Sequence, residues 1–178
     1  MRIEFKLDAA DLAAFDRLVA DRQQRGTDMR PVLRELSTDF FDLEEQLFAS
    51  EGRLILGRGW QKLNPKWLAY RQRQGRGSRI LDMEGGAGGR LRRSLTVPGA
   101  PYQRLDIDAD EMVASTRLGI AGVHDKGRTL TIRNASGTRT VKIPRRRLVR
   151  LRRQDKLRWL GASQHFISTG RLGGRLGL

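Results

Sequence analysis

Cysteine is absent from this 178-residue chain. That removes disulfide frameworks and thiolate metal sites together, and it fits a protein made in a cytoplasm. Histidine is nearly absent: His124 and His165 stand in unlike surroundings, with no third ligand at a useful spacing. Zinc sites and nucleophile–base–orienter triads need several such groups to converge, so neither is expected, and nor is any cofactor. Aromatic residues are only 6% of the chain, which implies a modest core and leaves apolar surface for a partner subunit. No run approaches the roughly 20 apolar residues that span a bilayer, so no membrane partner is expected. The acidic, amphipathic start MRIEFKLDAADLAAFDRL is unlike a signal or transit peptide.

What the chain has in excess is arginine and lysine, 35 against 20 acidic residues, for a net charge of +15. The excess is uneven. Residues 1–57 hold 8 Lys/Arg against 12 Asp/Glu, residues 58–104 hold 11 against 2, and residues 105–178 hold 16 against 6. Such polarity suits a molecule whose ends face different things: nucleic acid, or an oppositely charged element of a neighbouring subunit.

Read in order, residues 1–7 alternate like a short strand, and Asp8 offers an N-cap to a helix whose apolar face is Leu12, Phe15, Leu18 and Val19. A long helix is expected from about 31 to 54, with Pro31 in its first turn and Leu33, Leu36, Phe40, Leu43 and Leu47 at steps of three and four. Asn64 and Pro65 start a short helix carrying Trp67 and Tyr70, and a basic loop over 71–79 follows. The glycines of 85–89 predict a hinge, and RLRRSL after it predicts a helical turn or two. A β pattern then covers about 96–143, with strands over 104–107, 111–118, 129–133 and 138–143, the last two joined by Asn134–Gly137. Asp155 caps a final helix, and a flexible Gly/Arg-rich arm is expected over 161–178 after a single domain of 1–160. The fold class expected is α+β: N-terminal helices on a small, mostly antiparallel sheet, with a basic C-terminal helix or arm.

Few of these residues suggest chemistry. Asp106, Asp108, Asp110 and Glu111 form one carboxylate cluster, but a two-metal nuclease needs more such groups held in a cleft. GGAGGR lacks the Lys-Ser/Thr that a phosphate-cradling loop requires. The arginines are more informative. Arg71, Arg73, Arg76 and Arg79 share a loop, Arg90, Arg92 and Arg93 a helical turn, and Arg145, Arg146, Arg147, Arg150, Arg152 and Arg153 crowd the exit of the sheet. No aromatic platform or base-reading motif accompanies them, so contact with DNA is expected to be with its backbone, sequence-blind and salt-sensitive.

Residues 48–97, taken with IAGVHDKG (120–127) and IPRRRL (143–148), carry a resemblance. Trp60, Gln61, Leu63, Pro65, Ile80, Leu81, Gly89, Leu91, Arg92, Ser94 and Leu95 supply its first half, and His124, Gly127, Ile143, Pro144 and Arg146 its second. In that order they resemble the virion-morphogenesis or tail-completion family of tailed bacteriophages, Mu-like phages included, over about 45–150. The chain departs from the family pattern at Asp125-Lys126, at Arg147, and in the GGAGG insert. The resemblance implies a non-enzymatic structural protein of the virion neck, assembled in the host cytoplasm, that joins a tail to a DNA-filled head as a homo-oligomeric ring. Its implied partners are copies of itself, a head-side connector or adaptor, a tail tube or tail terminator, and genomic DNA in the channel. Arg73, Arg76, Arg92, Arg93, Arg145, Arg146 and Arg147 are the expected contacts with DNA or an acidic neighbour. Trp60, Trp67, Leu91, Leu95 and His124 are expected in packing or interfaces. The rival readings are a free, sequence-nonspecific nucleic-acid-binding protein and a metal-dependent nuclease built on Asp106–Glu111.

Overall fold

The computed structural model describes residues 9–81, 87–134 and 137–173. Its elements in chain order are α1 (Ala9–Thr27), α2 (Arg30–Ala49), α3 (Arg53–Leu56), α4 (Pro65–Arg73), α5 (Ala87–Thr96), β1 (Gln103–Ile107), β2 (Met112–Thr116), α6 (Gly119–Lys126), β3 (Arg128–Asn134), β4 (Gly137–Ile143) and α7 (Arg153–Thr169). The fold is α+β. The expected first strand, the Asp8 cap of the first helix, Gly85 and Gly86 of the hinge, Ala135 and Ser136 of the hairpin loop, and residues 174–178 of the arm lie outside the described residues.

The core is strung along α2. Pro31 occupies its first turn, where a missing N–H costs nothing, and Val32, Leu36, Phe40, Leu43 and Leu47 bury one face. The N-terminal half, Val32 and Leu36, packs on Ala162 and Phe166 of α7. The C-terminal half, Leu43, Leu47 and Phe48, packs on Trp60, Ile80, Leu91, Leu95 and Leu148. A single helix to residue 54 was expected, but α2 stops at Ala49. Glu51 and Gly52 take positive φ (49° and 90°), and a Cβ on Gly52 would stand 3.1 Å from the Trp60 ring. The indole packs on the left-handed backbone at Gly52 where a side chain would crowd it, and the chain resumes as the one-turn helix α3.

Leu91 and Leu95 anchor α5, whose Ser94 is buried and shares a 2.8 Å hydrogen bond with Thr116 of β2. Ala87, Gly88 and Gly89, expected in the hinge, are helical. The basic loop also starts later than expected, because α4 continues to Arg73.

The expected sheet over 96–143 is two separate antiparallel hairpins, β1–β2 and β3–β4, with α6 between them. Residues 118–121 supply the reason. Leu118, Ile120 and Ala121 pack on the main core, which a helical turn can manage and an alternating strand cannot.

The C-terminal expectation is corrected as well. α7 runs through Gly161 to Thr169, because Ala162 and Phe166, four residues apart, bury against α2, and Gly170 (φ 73°) ends it. Arg158 and the Trp159 indole both donate to Asp39 of α2, at 2.6 and 2.5 Å. By contrast α1 lies outside the core. Arg25 ties it to the Ile167 carbonyl of α7 at 3.0 Å, while Leu12, Phe15 and Leu18 stay 49%, 60% and 44% exposed.

Candidate functional site

Between β4 and α7 the chain crosses residues 144–152 as a strap without helix or strand, and over 145–149 its side chains alternate. Arg146 and Leu148 point inward and are buried, while Arg145, Arg147 and Val149 face out. A two-residue period is what an extended segment imposes. It separates neighbouring arginines into two populations with different tasks.

The inward arginine is a clamp. Arg146 is 4% exposed, and its Nη2 donates to the Gln61 carbonyl at 3.1 Å. Its Nη1 lies 3.4 Å from Nδ1 of His124, and its backbone N–H donates to the His124 carbonyl at 2.7 Å. A guanidinium can only donate, so that imidazole nitrogen accepts and carries no proton. Burial first, and then the Arg146 charge, lower the His124 pKa to about 4. The Arg146 guanidinium is itself lowered by burial. Leu148 N–H donates to Asp125 at 3.2 Å, and the Trp60 indole donates to the Arg147 carbonyl at 3.1 Å. Gly127 (φ 72°, ψ 147°) lets the strap pass, since a Cβ there would stand 2.9 Å from Arg145 N. The strap is thus fixed to α6 on one side and to the α3–α4 connection on the other.

The outward arginines line a cleft. Arg145, Arg147 and Arg150 from the strap meet Arg58 from the segment after α3, over a floor of Leu56, Trp60 and Gln61, around about 540 Å³ open to solvent. None of the four has an ion pair among the described residues.

The other expected contact residues are dispersed. Arg73, at the end of α4, and Arg76 beyond it are exposed. Arg93 on α5 is exposed too, whereas Arg92 is ion-paired with Glu45 of α2. Among the expected packing residues, Trp60, Leu91 and Leu95 are buried and His124 is half-buried beneath the strap. Trp67 is 47% exposed and stacks on Tyr70, itself 41% exposed, with ring centroids 5.2 Å apart. Three arginines acquire roles that sequence reasoning did not assign. Arg58 completes the cleft. Arg71, 3% exposed, donates to the Arg79 carbonyl at 3.0 Å and braces the basic loop. Arg152 grips Asp155 at 2.7 and 2.9 Å to cap α7, and that grip holds the buried carboxyl below the usual range. Spacing carried no signal for Arg58 or Arg71; the Arg152–Asp155 interval of three is a helix-start pattern.

The carboxylates do not converge. Asp106 on β1 pairs with Arg104, while Asp108, Asp110 and Glu111 form the exposed β1–β2 turn. Among the described residues no group of three or more His, Asp or Glu side chains could hold a metal ion, and no helix is long and apolar enough to cross a membrane.

No curated protein and no solved structure matches the chain. A family model does, over residues 10–165, which takes in every described element from α1 to most of α7. The chain belongs to the phage virion morphogenesis family.

Proposed function

We propose that this virion-assembly protein is a neck subunit, a tail-completion or head–tail connector protein that joins a tail to a DNA-filled head as a homo-oligomeric ring. The observation that carries the reading is the rigid arginine face of the strap: Arg146 is spent as a buried clamp so that Arg145, Arg147 and Arg150 are held outward beside Arg58. Repeated around an axis, a fixed charged face held outward can meet an oppositely charged surface of the next copy without any copy reading sequence or doing chemistry. Arg73 and Arg93 are exposed cations placed to meet DNA in the channel. Subunit contact is supported by the uncovered stripe Leu12, Phe15 and Leu18 on α1, an apolar surface unusual on a monomer. Head-side adaptor and tail tube or terminator proteins are the partners at the two faces.

The test is electron microscopy of particles assembled without the protein. Filled heads and finished tails that fail to join, and that join when the protein is added back, support the reading; normal virions refute it.

One observation favours a second reading, a free nucleic-acid-binding protein. The exposed Trp67–Tyr70 stack sits on the helix that ends in Arg73, and aromatic faces beside cations suit single-stranded bases. Tight, salt-sensitive binding of bare DNA by the isolated monomer, lost in Trp67→Ala, would favour it; a neck subunit binds bare DNA weakly until assembled.

A further inference from the structure

The Asp108–Glu111 turn and the arginine cleft sit at opposite ends of α2. At the N-terminal end, Met29 N–H donates to the Ala109 carbonyl at 2.6 Å, which pins the β1–β2 turn to the start of the helix. That turn displays Asp108, Asp110 and Glu111, all exposed and all without an ion pair among the described residues. The basic side chains beside it are committed: Arg104 to Asp106, and Arg30 to Asp28, though Arg30 also feels the charge of Asp108. At the C-terminal end, Phe48 meets Trp60 edge-on at 5.3 Å, and the Trp60 N–H donates to the Glu51 carbonyl at 2.7 Å. Trp60 is the floor of the four-arginine cleft. Twenty residues of helix separate the two, about 30 Å at 1.5 Å per residue. One copy therefore cannot satisfy its own cleft with its own turn.

We propose that the arginine cleft of one subunit takes the Asp108–Glu111 turn of the next copy, making the head-to-tail contact of the ring. The inference rests on the ring reading above and names its interface. Contact between two different patches at opposite poles is heterologous, so it propagates from copy to copy and closes when the rotation closes. Charge makes the choice of partner specific. Chains of net +15 repel one another, so a stable contact must place opposite charge together. The guanidinium forks of Arg58, Arg147 and Arg150 match carboxylates in geometry as well as sign. A DNA backbone is an extended, convex polyanion, best met by arginines spread along a face. Four arginines around one concavity fit a protruding turn instead.

Three variants test this. Arg147→Glu with Arg150→Glu reverses the cleft, Asp110→Lys with Glu111→Lys reverses the turn, and the third chain carries all four changes. All four side chains are exposed, and circular dichroism with thermal melts confirms that each variant folds. Sedimentation velocity at low salt reads the assembly. The expected result is an oligomer for the wild type, at least tenfold weaker association for each single reversal, and recovery in the four-fold variant. A single reversal that assembles like the wild type, or a four-fold variant that stays monomeric, overturns the inference and leaves the ring reading standing. A cleft reversal that abolishes binding to a short DNA duplex while assembly is intact overturns it in favour of nucleic acid. A wild-type chain that is monomeric at low salt removes the ring reading itself.

Discussion

Glu44 and His124 are two buried or half-buried ionisable groups with opposite consequences for stability. Glu44, on the core side of α2, is 3% exposed and its Oε2 has no partner among the described residues; desolvation alone raises its pKa well above the usual carboxylate value. The folded chain keeps this proton after the unfolded chain has lost it, so the site's contribution is full below about pH 4.5 and declines as pH rises. Glu44→Gln, which cannot ionise, should therefore melt higher than the wild type at pH 8, with the gap closing toward pH 4.5. A gain of about 1 kcal/mol would show as roughly 2–4 °C in a chain of this size. His124 runs the other way. Its pKa is lowered to about 4 from 6.5, so between those values the unfolded state binds a proton that the folded state refuses, and stability rises as pH rises through that window and is lost as pH falls through it. His124→Asn keeps an acceptor near Arg146 and removes the titration. Urea midpoints for the variant should lose that slope, by on the order of 1–2 kcal/mol once solvent screening is allowed for.

Among the elements, the strap depends on one glycine. Gly127→Ala puts a methyl group 2.9 Å from Arg145 N in a backbone region that only glycine enters easily. Its expected cost is about 1–3 kcal/mol, with the Arg146–His124 contact disturbed. Gly122, within α6, has nothing within 4 Å of a Cβ, so Gly122→Ala should stabilise by about 0.5–1 kcal/mol. Denaturant unfolding of the pair checks both signs; equal effects would mean that the strap is not held as described.

These elements also show what could be read from sequence. Pro31 and the three-four spacing announced α2, Asn64-Pro65 announced α4, and the β3–β4 hairpin followed from its flanking alternation. The break after Ala49 did not follow, because it depends on Trp60 packing against Gly52. Asp155 announced the start of α7, but its second half was hidden by Gly161 and the glycines beyond Thr169, since Ala162 and Phe166 make sense only with α2 opposite them. Leu12, Phe15 and Leu18 had the periodicity of a core face and lie outside it; a helix facing a partner copy has the same pattern. The arginine runs were visible, but their sorting into clamp and cleft needed the direction of each side chain, which composition does not carry.

At the scale of the whole molecule, the charge map acquires direction only through folding. The acidic N-terminal third and basic remainder were countable, yet the exposed acidic turn Asp108–Glu111 within the basic region is held at the opposite end of α2 from the cleft by the bond between Met29 and Ala109. On the proposed reading, that polarity is what lets one copy meet the next. The account predicts that cryo-electron microscopy of native virions will find several copies of the chain arranged around the DNA channel between head and tail, with the β1–β2 turn of each against the strap of the next. Finding a single copy in the virion, or none, would contradict it.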